Sequence, residues 1–179
     1  MADTGAGMRV RHAVRADLPG IVDIYNSTVP SRQVTADTEP VTVASREPWF
    51  DAHSPARYPL WVLEDAAGVM LGWISLSAFY GRPAYAATAE VSIYLAESAR
   101  GRGLGRLALD YALEACPALG IRTLLGFIFA HNTPAWRCSS AGASVPGVTF
   151  PMWRNSMVSA VRSSSSGWRC RSPNLSQTS

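Results

Sequence analysis

Lysine is missing from this sequence altogether: all 16 basic residues among its 179 are arginines. That excludes a P-loop, which needs Gly-Lys followed by Ser or Thr. Acidic residues are missing from the stretch 135–179; all 13 stand before it, beside 11 of the arginines. The formal charge of +3 and the pI near 9.0 therefore belong to the C-terminal stretch with its five arginines, while the rest is slightly acidic. Cysteine is scarce. Cys116, Cys138 and Cys170 show no metal or redox spacing, so no metal is expected. Long apolar runs are also missing. Nothing approaches the ~20 residues of a membrane span, and the Arg-containing start has no signal-peptide core. The expectation is a cytoplasmic protein without a membrane partner. A hydrophobic share of 47% excludes a wholly disordered chain and collagen. The length predicts one domain, two at the outside, and a domain of this size buries about 70% of its unfolded surface.

Along the chain, residues 1–7 read as a frayed start and 8–14 alternate like a strand. Asp17 is a plausible N-cap, and Leu18, Ile21, Val22, Ile24 and Tyr25 follow helical spacing over 17–28. Residues 29–42 read as a loop, and Ser45 could cap a short helix through Trp49 and Phe50, whose rings read as packing rather than as a substrate wall. Residues 60–64 and 69–79 form a hairpin, with Gly72 marking a bulge or a close backbone approach. Residues 88–95 are a strand, 103–116 an amphipathic helix, and 121–129 an apolar strand buried on both faces. The order is that of an α/β domain with a βαβ unit near its end.

The most informative segment is Val91-Ser92-Ile93-Tyr94-Leu95 followed by Arg100-Gly101-Arg102-Gly103-Leu104-Gly105-Arg106. A strand feeds a glycine-rich turn that opens a helix. The unpaired N–H groups of a helix start, and its dipole, favour an anion. Glycines allow close backbone approach, and three arginines add charge, so a pyrophosphate is the natural ligand. The spacing G-x-G-x-G is not the dinucleotide fingerprint G-x-G-x-x-G. Glu90 is the lone acid near the start of an apolar strand. Partial burial there raises a carboxyl towards neutrality, as a general base needs.

Arg100-x-x-Gly103-x-Gly105 resembles the coenzyme A pyrophosphate loop of the GCN5-related N-acetyltransferase (GNAT) family. Arg11-x-Ala13, Asp17, Ile24-Tyr25-Asn26, Trp49-Phe50, Gly72-Trp73, Arg82-x-x-Tyr85 and Glu90-x-Ser92-x-Tyr94 resemble its phosphinothricin/methionine sulfoximine acetyltransferase branch. The resemblance covers roughly residues 8–134. It implies an α/β GNAT fold, a mixed central sheet flanked by helices, in a domain over 8–134. It implies acetyl-CoA as cosubstrate and direct transfer to the amino group of a small amino-acid-like molecule, with Glu90 as base, directly or through a water. Backbone groups of Ile93, Tyr94 and Leu95 would lie along pantetheine. Residues Arg100, Gly101, Arg102, Gly103, Leu104, Gly105 and Arg106 would hold the pyrophosphate, and Asn132 would hydrogen-bond the cofactor. Arg82 and Tyr85 would bind a substrate carboxylate or phosphinate. The resembled family is commonly dimeric, which leaves room for a homodimer.

After Pro134 the family pattern stops. The family continues with a helix and two strands; here a Ser/Arg-rich stretch over 135–179 follows, expected to be disordered or poorly structured, with that helix and those strands missing or disrupted. The genetic code suggests why. In the frame that starts at the third base of each codon, Met152-Trp153 must give Val, Trp153-Arg154 gives Ala for any CGN arginine codon, and Met157-Val158 must give Gly. With permitted choices elsewhere, that frame spells a family-like ending, and Ser163 to Ser166 becomes a valine run. A one-base loss near codon 135 is the hypothesis. It predicts a poorly stable chain of weak activity, and the alternative is a remnant that at most binds coenzyme A. A nucleic-acid partner is not expected, since the arginine-bearing stretch lacks aromatic interleaving and a known motif.

Overall fold

Strand alternation on two faces builds the sheet that carries everything else. The computed structural model describes residues 2–3, 7–31, 35, 37–129, 156–164 and 167–171. Its strands are β1 (Ala2–Asp3), β2 (Met8–His12), β3 (Leu60–Asp65), β4 (Met70–Ala78), β5 (Thr88–Leu95), β6 (Thr123–Phe129), β7 (Ser156–Ser164) and β8 (Gly167–Arg171). They lie in one sheet in chain order. Every neighbouring pair is antiparallel except β5 and β6, which run parallel around the crossover helix α3 (Leu104–Ala115). Helices α1 (Leu18–Asn26) and α2 (Val43–Asp51) complete the described elements of α-helix.

One sheet face meets α3. Val10, Trp61, Leu63, Ile74, Leu76, Ala89 and Leu124 pack with Leu104, Ala108, Leu109, Ala112 and Cys116. The other face meets α1 and α2, through Leu60, Val62 and Trp73 against Ile21, Ile24, Trp49 and Phe50. Both faces of β3 are thus covered, which is why Leu60 to Leu63 is an unbroken apolar run. Burying each such side chain contributes about 1.5–3 kcal/mol. On β4 the alternation slips. Leu71 and Ile74 face the same cluster although they stand an odd number of positions, three, apart. Leu63 pairs with Gly72 and Glu64 with Met70, so Leu71 is the extra residue of a β-bulge.

Several local expectations change in the structure. Residues 1–7 were expected to fray, yet Ala2 and Asp3 pair with Val10 and Arg9. Asp17 occupies the N-cap position of α1, as expected, but its side chain makes no cap hydrogen bond there. Its carboxylate accepts from the Val14 N–H at 2.7 Å and from both terminal nitrogens of Arg11 at 2.7 and 2.9 Å. The cap of α2 is Thr42 rather than Ser45, its hydroxyl accepting from the Ser45 N–H at 3.1 Å. The strand β6 is buried at Leu124 and Leu125 but not on both faces throughout, since Phe127 is 51% exposed.

The two C-terminal strands are the largest difference. They were expected missing or disrupted. Instead β7 pairs with β6 from Thr123↔Arg162 to Phe129↔Ser156, and β8 pairs with β7. Backbone pairing does not depend on side-chain identity, and the edge of β6 offers N–H and C=O groups to any extended segment. The expected last helix falls outside the described residues.

Candidate active site

The parallel seam between β5 and β6 is short. Thr88, Ala89 and Glu90 pair with Thr123, Leu124 and Leu125, and there the pairing ends. On its other side β5 stays paired with β4 through Leu95. The strand therefore carries, over 91–95, one backbone edge that no described residue of β6 occupies. The sheet opens into a wedge directly after Glu90. The base of the wedge is held by the Ala87 carbonyl, which accepts from Arg122 N at 2.8 Å and Thr123 N at 3.0 Å.

Beyond the wedge comes the glycine turn. Gly101 and Gly103 have φ of +73° and +77°, left-handed values that a side chain would strain. Gly103 occupies the N-cap of α3 without any side-chain cap, and the first intrahelical bonds run from Arg106 and Leu107 to its carbonyl. The N–H groups of residues 101–105 have no backbone acceptor among the described residues. Five consecutive free amides at a helix start form an anion cradle. Arg100 and Arg102 are exposed beside it, and Arg100 Nε donates to the Leu95 carbonyl at 3.3 Å, tying the cradle to the wedge. Arg106 points along the helix to Asp110, at 2.9 and 2.7 Å, so its side chain is engaged there.

Strand alternation fixes what shares a face with Glu90. Ser77 stands opposite Glu90, Ser75 opposite Ser92, and Trp73 opposite Tyr94. These residues form a polar floor on the α1/α2 side of the sheet. Glu90 is half-buried, and burial pushes its carboxyl above the usual carboxylate range. No described residue donates a hydrogen bond or ion pair to that carboxylate.

Two aromatic clusters border the floor. At one end Tyr94 stacks on Trp73, with ring centroids 4.4 Å apart, and Tyr25 and Trp49 complete the group. The Tyr25 hydroxyl meets Thr35 Oγ1 and Asp37 Oδ2, both at 2.5 Å. Burial holds the Tyr94 phenol well above its ordinary pKa. Arg46 lies over the Tyr25 ring and pairs with Asp37 at 3.1 Å. A cavity of about 410 Å³ adjoins this end, lined by Asp37, Glu39, Pro40 and Thr42 among others. At the other end Phe79 contacts Tyr80 at 4.5 Å and Tyr85 at 5.6 Å between ring centroids. Tyr80 has φ +54°, a left-handed backbone that costs a bulky residue on the order of 1–2 kcal/mol.

The site residues expected from sequence thus fall into three places. Glu90, Ile93, Tyr94 and Leu95 lie on the wedge strand, and residues 100–106 follow it as the cradle. Arg82 and Tyr85 lie on the exposed connection between β4 and β5, Tyr85 within the ring cluster. Asn132 lies outside the described residues. Trp49 packs edge-on against Trp73, as expected. The sequence reading missed Thr35, Asp37, Arg46 and Tyr80, which carry no local signal and acquire meaning only through contacts made by folding.

A wedge beside a carboxylate, with an anion cradle at its far end, suits a long phosphate-bearing carrier laid against β5. The family model for acetyltransferases of the GNAT family matches residues 21–142. The chain belongs to the GNAT family. Among GNAT relatives, it is 55% identical over 128 residues to YwnH of Bacillus subtilis, covering 72% of this chain and 78% of that one. It is 37% identical over 123 residues to the L-methionine sulfoximine/L-methionine sulfone acetyltransferase of Pseudomonas paraeruginosa, covering 69% and 72% of the two chains. A GNAT phosphinothricin acetyltransferase from Sinorhizobium meliloti, solved in complex with AcCoA, superposes with a TM-score of 0.74 at 28% identity, covering 86% of this chain and 87% of that one. No described helix is long and apolar enough to cross a membrane. No group of three metal-ligating side chains occurs among the described residues.

Proposed function

We propose that this GNAT enzyme transfers the acetyl group of acetyl-CoA directly to the amino group of a small amino-acid-like acceptor of the phosphinothricin or methionine sulfoximine type. The observation that carries this reading is the opening of the sheet directly after Glu90. It brings a backbone edge that no described residue of β6 occupies and a half-buried carboxylate onto one strand, with the amide cradle following in the chain. The amides of residues 101–105 take the pyrophosphate, with Arg100 and Arg102 adding charge. The free edge over Ile93, Tyr94 and Leu95 aligns the pantetheine arm and polarises the thioester carbonyl. Glu90, its carboxyl raised by burial, accepts the proton of the attacking ammonium directly or through a water. The amine nitrogen then bonds to the acetyl carbon, the carbon–sulfur bond breaks with its electron pair on sulfur, and the thiolate takes up the second proton lost by the nitrogen and leaves as the thiol of coenzyme A. Arg82 and Tyr85 receive the acceptor's acid group. Relatives named for methionine sulfoximine and phosphinothricin support this acceptor class.

The test is release of free thiol from acetyl-CoA in the presence of a panel of amino-acid analogues, comparing the wild type with Glu90→Gln. Thiol release that needs both an amino-acid amine and Glu90 is the expected result. Binding of acetyl-CoA without release for any amine points to the remnant reading instead.

A further inference from the structure

We infer that Tyr80 determines acceptor specificity, its ring set against the side chain of the acceptor at the Glu90 end of the sheet face. The inference rests on the acetyl-transfer reading above. The backbone is left-handed at Tyr80 (φ +54°) and again at Gly81 (φ +58°). Glycine adopts that conformation freely; an aromatic residue does so under strain. Such strain persists where something else repays it, and among the described residues the Tyr80 side chain gains only two ring contacts. The Tyr80 ring is 77% exposed. It touches the rings of Phe79 and Tyr85, at 4.5 and 6.3 Å between centroids, and makes no hydrogen bond or ion pair with any described residue. A strained residue whose side chain mostly faces outward is kept for what it meets there.

Its position indicates the chemistry of that partner. Ser77 pairs with Glu90, and Phe79, two residues further, continues the same face just beyond the strand. Tyr80 and Tyr85 bracket Phe79, so three rings stand at one end of the polar floor. Arg82 follows two residues after Tyr80. An exposed ring on the connection that leads into the Glu90 strand, two residues before an arginine, suits a zwitterionic amino acid with a short apolar or sulfur-bearing side chain. The amine then turns to Glu90, the acid group to Arg82, and the side chain to the rings.

The experiment compares the wild type with Tyr80→Gly, Tyr80→Asn and Tyr80→Phe. Thermal unfolding, acetyl-CoA titration and steady-state kinetics are measured with acceptors from glycine to methionine sulfone. Gly and Asn both tolerate left-handed backbone, so these variants should melt no lower than the wild type. Acetyl-CoA affinity should stay unchanged, while kcat/KM for acceptors with side chains falls about tenfold or more, glycine losing less, and Tyr80→Phe retains activity. Unchanged acceptor kinetics in both small variants overturns the inference. So does a uniform loss across all acceptors, lowered melting in both, or dissociation of a dimer with kinetics intact. A wild type that releases no thiol with any acceptor sinks the acetyl-transfer reading, and this inference with it. Small variants that match an active wild type sink the inference alone.

Discussion

Gly72 lies so close to Tyr94 that a Cβ placed on it would sit 2.5 Å from the Tyr94 carbonyl oxygen. The contact explains why the bulged part of β4 carries no side chain there. It also joins the hairpin to the strand that opens the wedge, since Gly72 pairs with Leu95.

Gly72→Ala should therefore push β5 away from β4. The clash is with backbone, which cannot swing aside as a side-chain tip can. The expected loss is about 1–3 kcal/mol, lowering Tm by roughly 2–10 °C for a chain of this size. Calorimetry checks this, and acetyl-CoA titration should show weakened binding in the same variant.

Glu90 gives two pH signatures of opposite sign. Its raised pKa means that kcat/KM falls as acidification protonates the base, at a pH above that of an ordinary carboxylate. For stability, the folded state holds this proton more tightly than the unfolded chain does. The contribution is present below the unfolded pKa and is lost as pH rises through the folded one. Glu90→Gln should thus lower turnover by about 10²–10⁴ while melting no lower than the wild type at neutral pH. A pH–rate profile and paired melting curves at pH 5 and 8 read both effects.

Gly101 and Gly103 adopt backbone that an L side chain resists. Alanine at either position costs on the order of 1–2 kcal/mol and tilts the amide cradle. Affinity for acetyl-CoA should drop about tenfold, with the acceptor KM at saturating acetyl-CoA nearly unchanged. Isothermal titration against coenzyme A, followed by acceptor kinetics, separates the two.

Cys116 is fully buried at the C-terminal end of α3, and burial pushes its thiol up to about 12. It cannot serve as an acyl carrier at neutral pH. Cys116→Ala should keep its turnover, with some loss of stability from the missing sulfur. No acetylated form of Cys116 should appear by mass spectrometry after quenching with acetyl-CoA bound.

The elements legible in the sequence were those specified by neighbours in the chain. The strand through Glu90, the turn at Gly101 and Gly103, and the apolar stripe of α3 each carry a local periodicity or backbone demand, and the structure places them within one or two residues. The cap of α1 was legible in position but not in its bonding, and the cap of α2 was placed three residues late, at Ser45. Arg11 takes Asp17 from 6 positions away, and Thr42 is simply better placed. The contacts of Tyr25 with the Tyr94 ring on one side and with Thr35 and Asp37 on the other join three segments of the chain, and no spacing rule announces them. A substrate role for Arg82 and Tyr85 rests on resemblance and remains part of the proposal; the strain at Tyr80 appears only once φ is known. The codon pattern near residue 135 stands apart from these, since the gene rather than the fold decides it.

The parting of β5 from β6 has a mechanical consequence. A sheet joined by only three residue pairs at its middle is two plates sharing a short hinge. A carrier seated along the exposed edge spans both plates and splints them. Loading should therefore slow amide exchange well beyond the residues it touches, in β6 as much as in β5, and raise the melting temperature of the whole chain in a single transition.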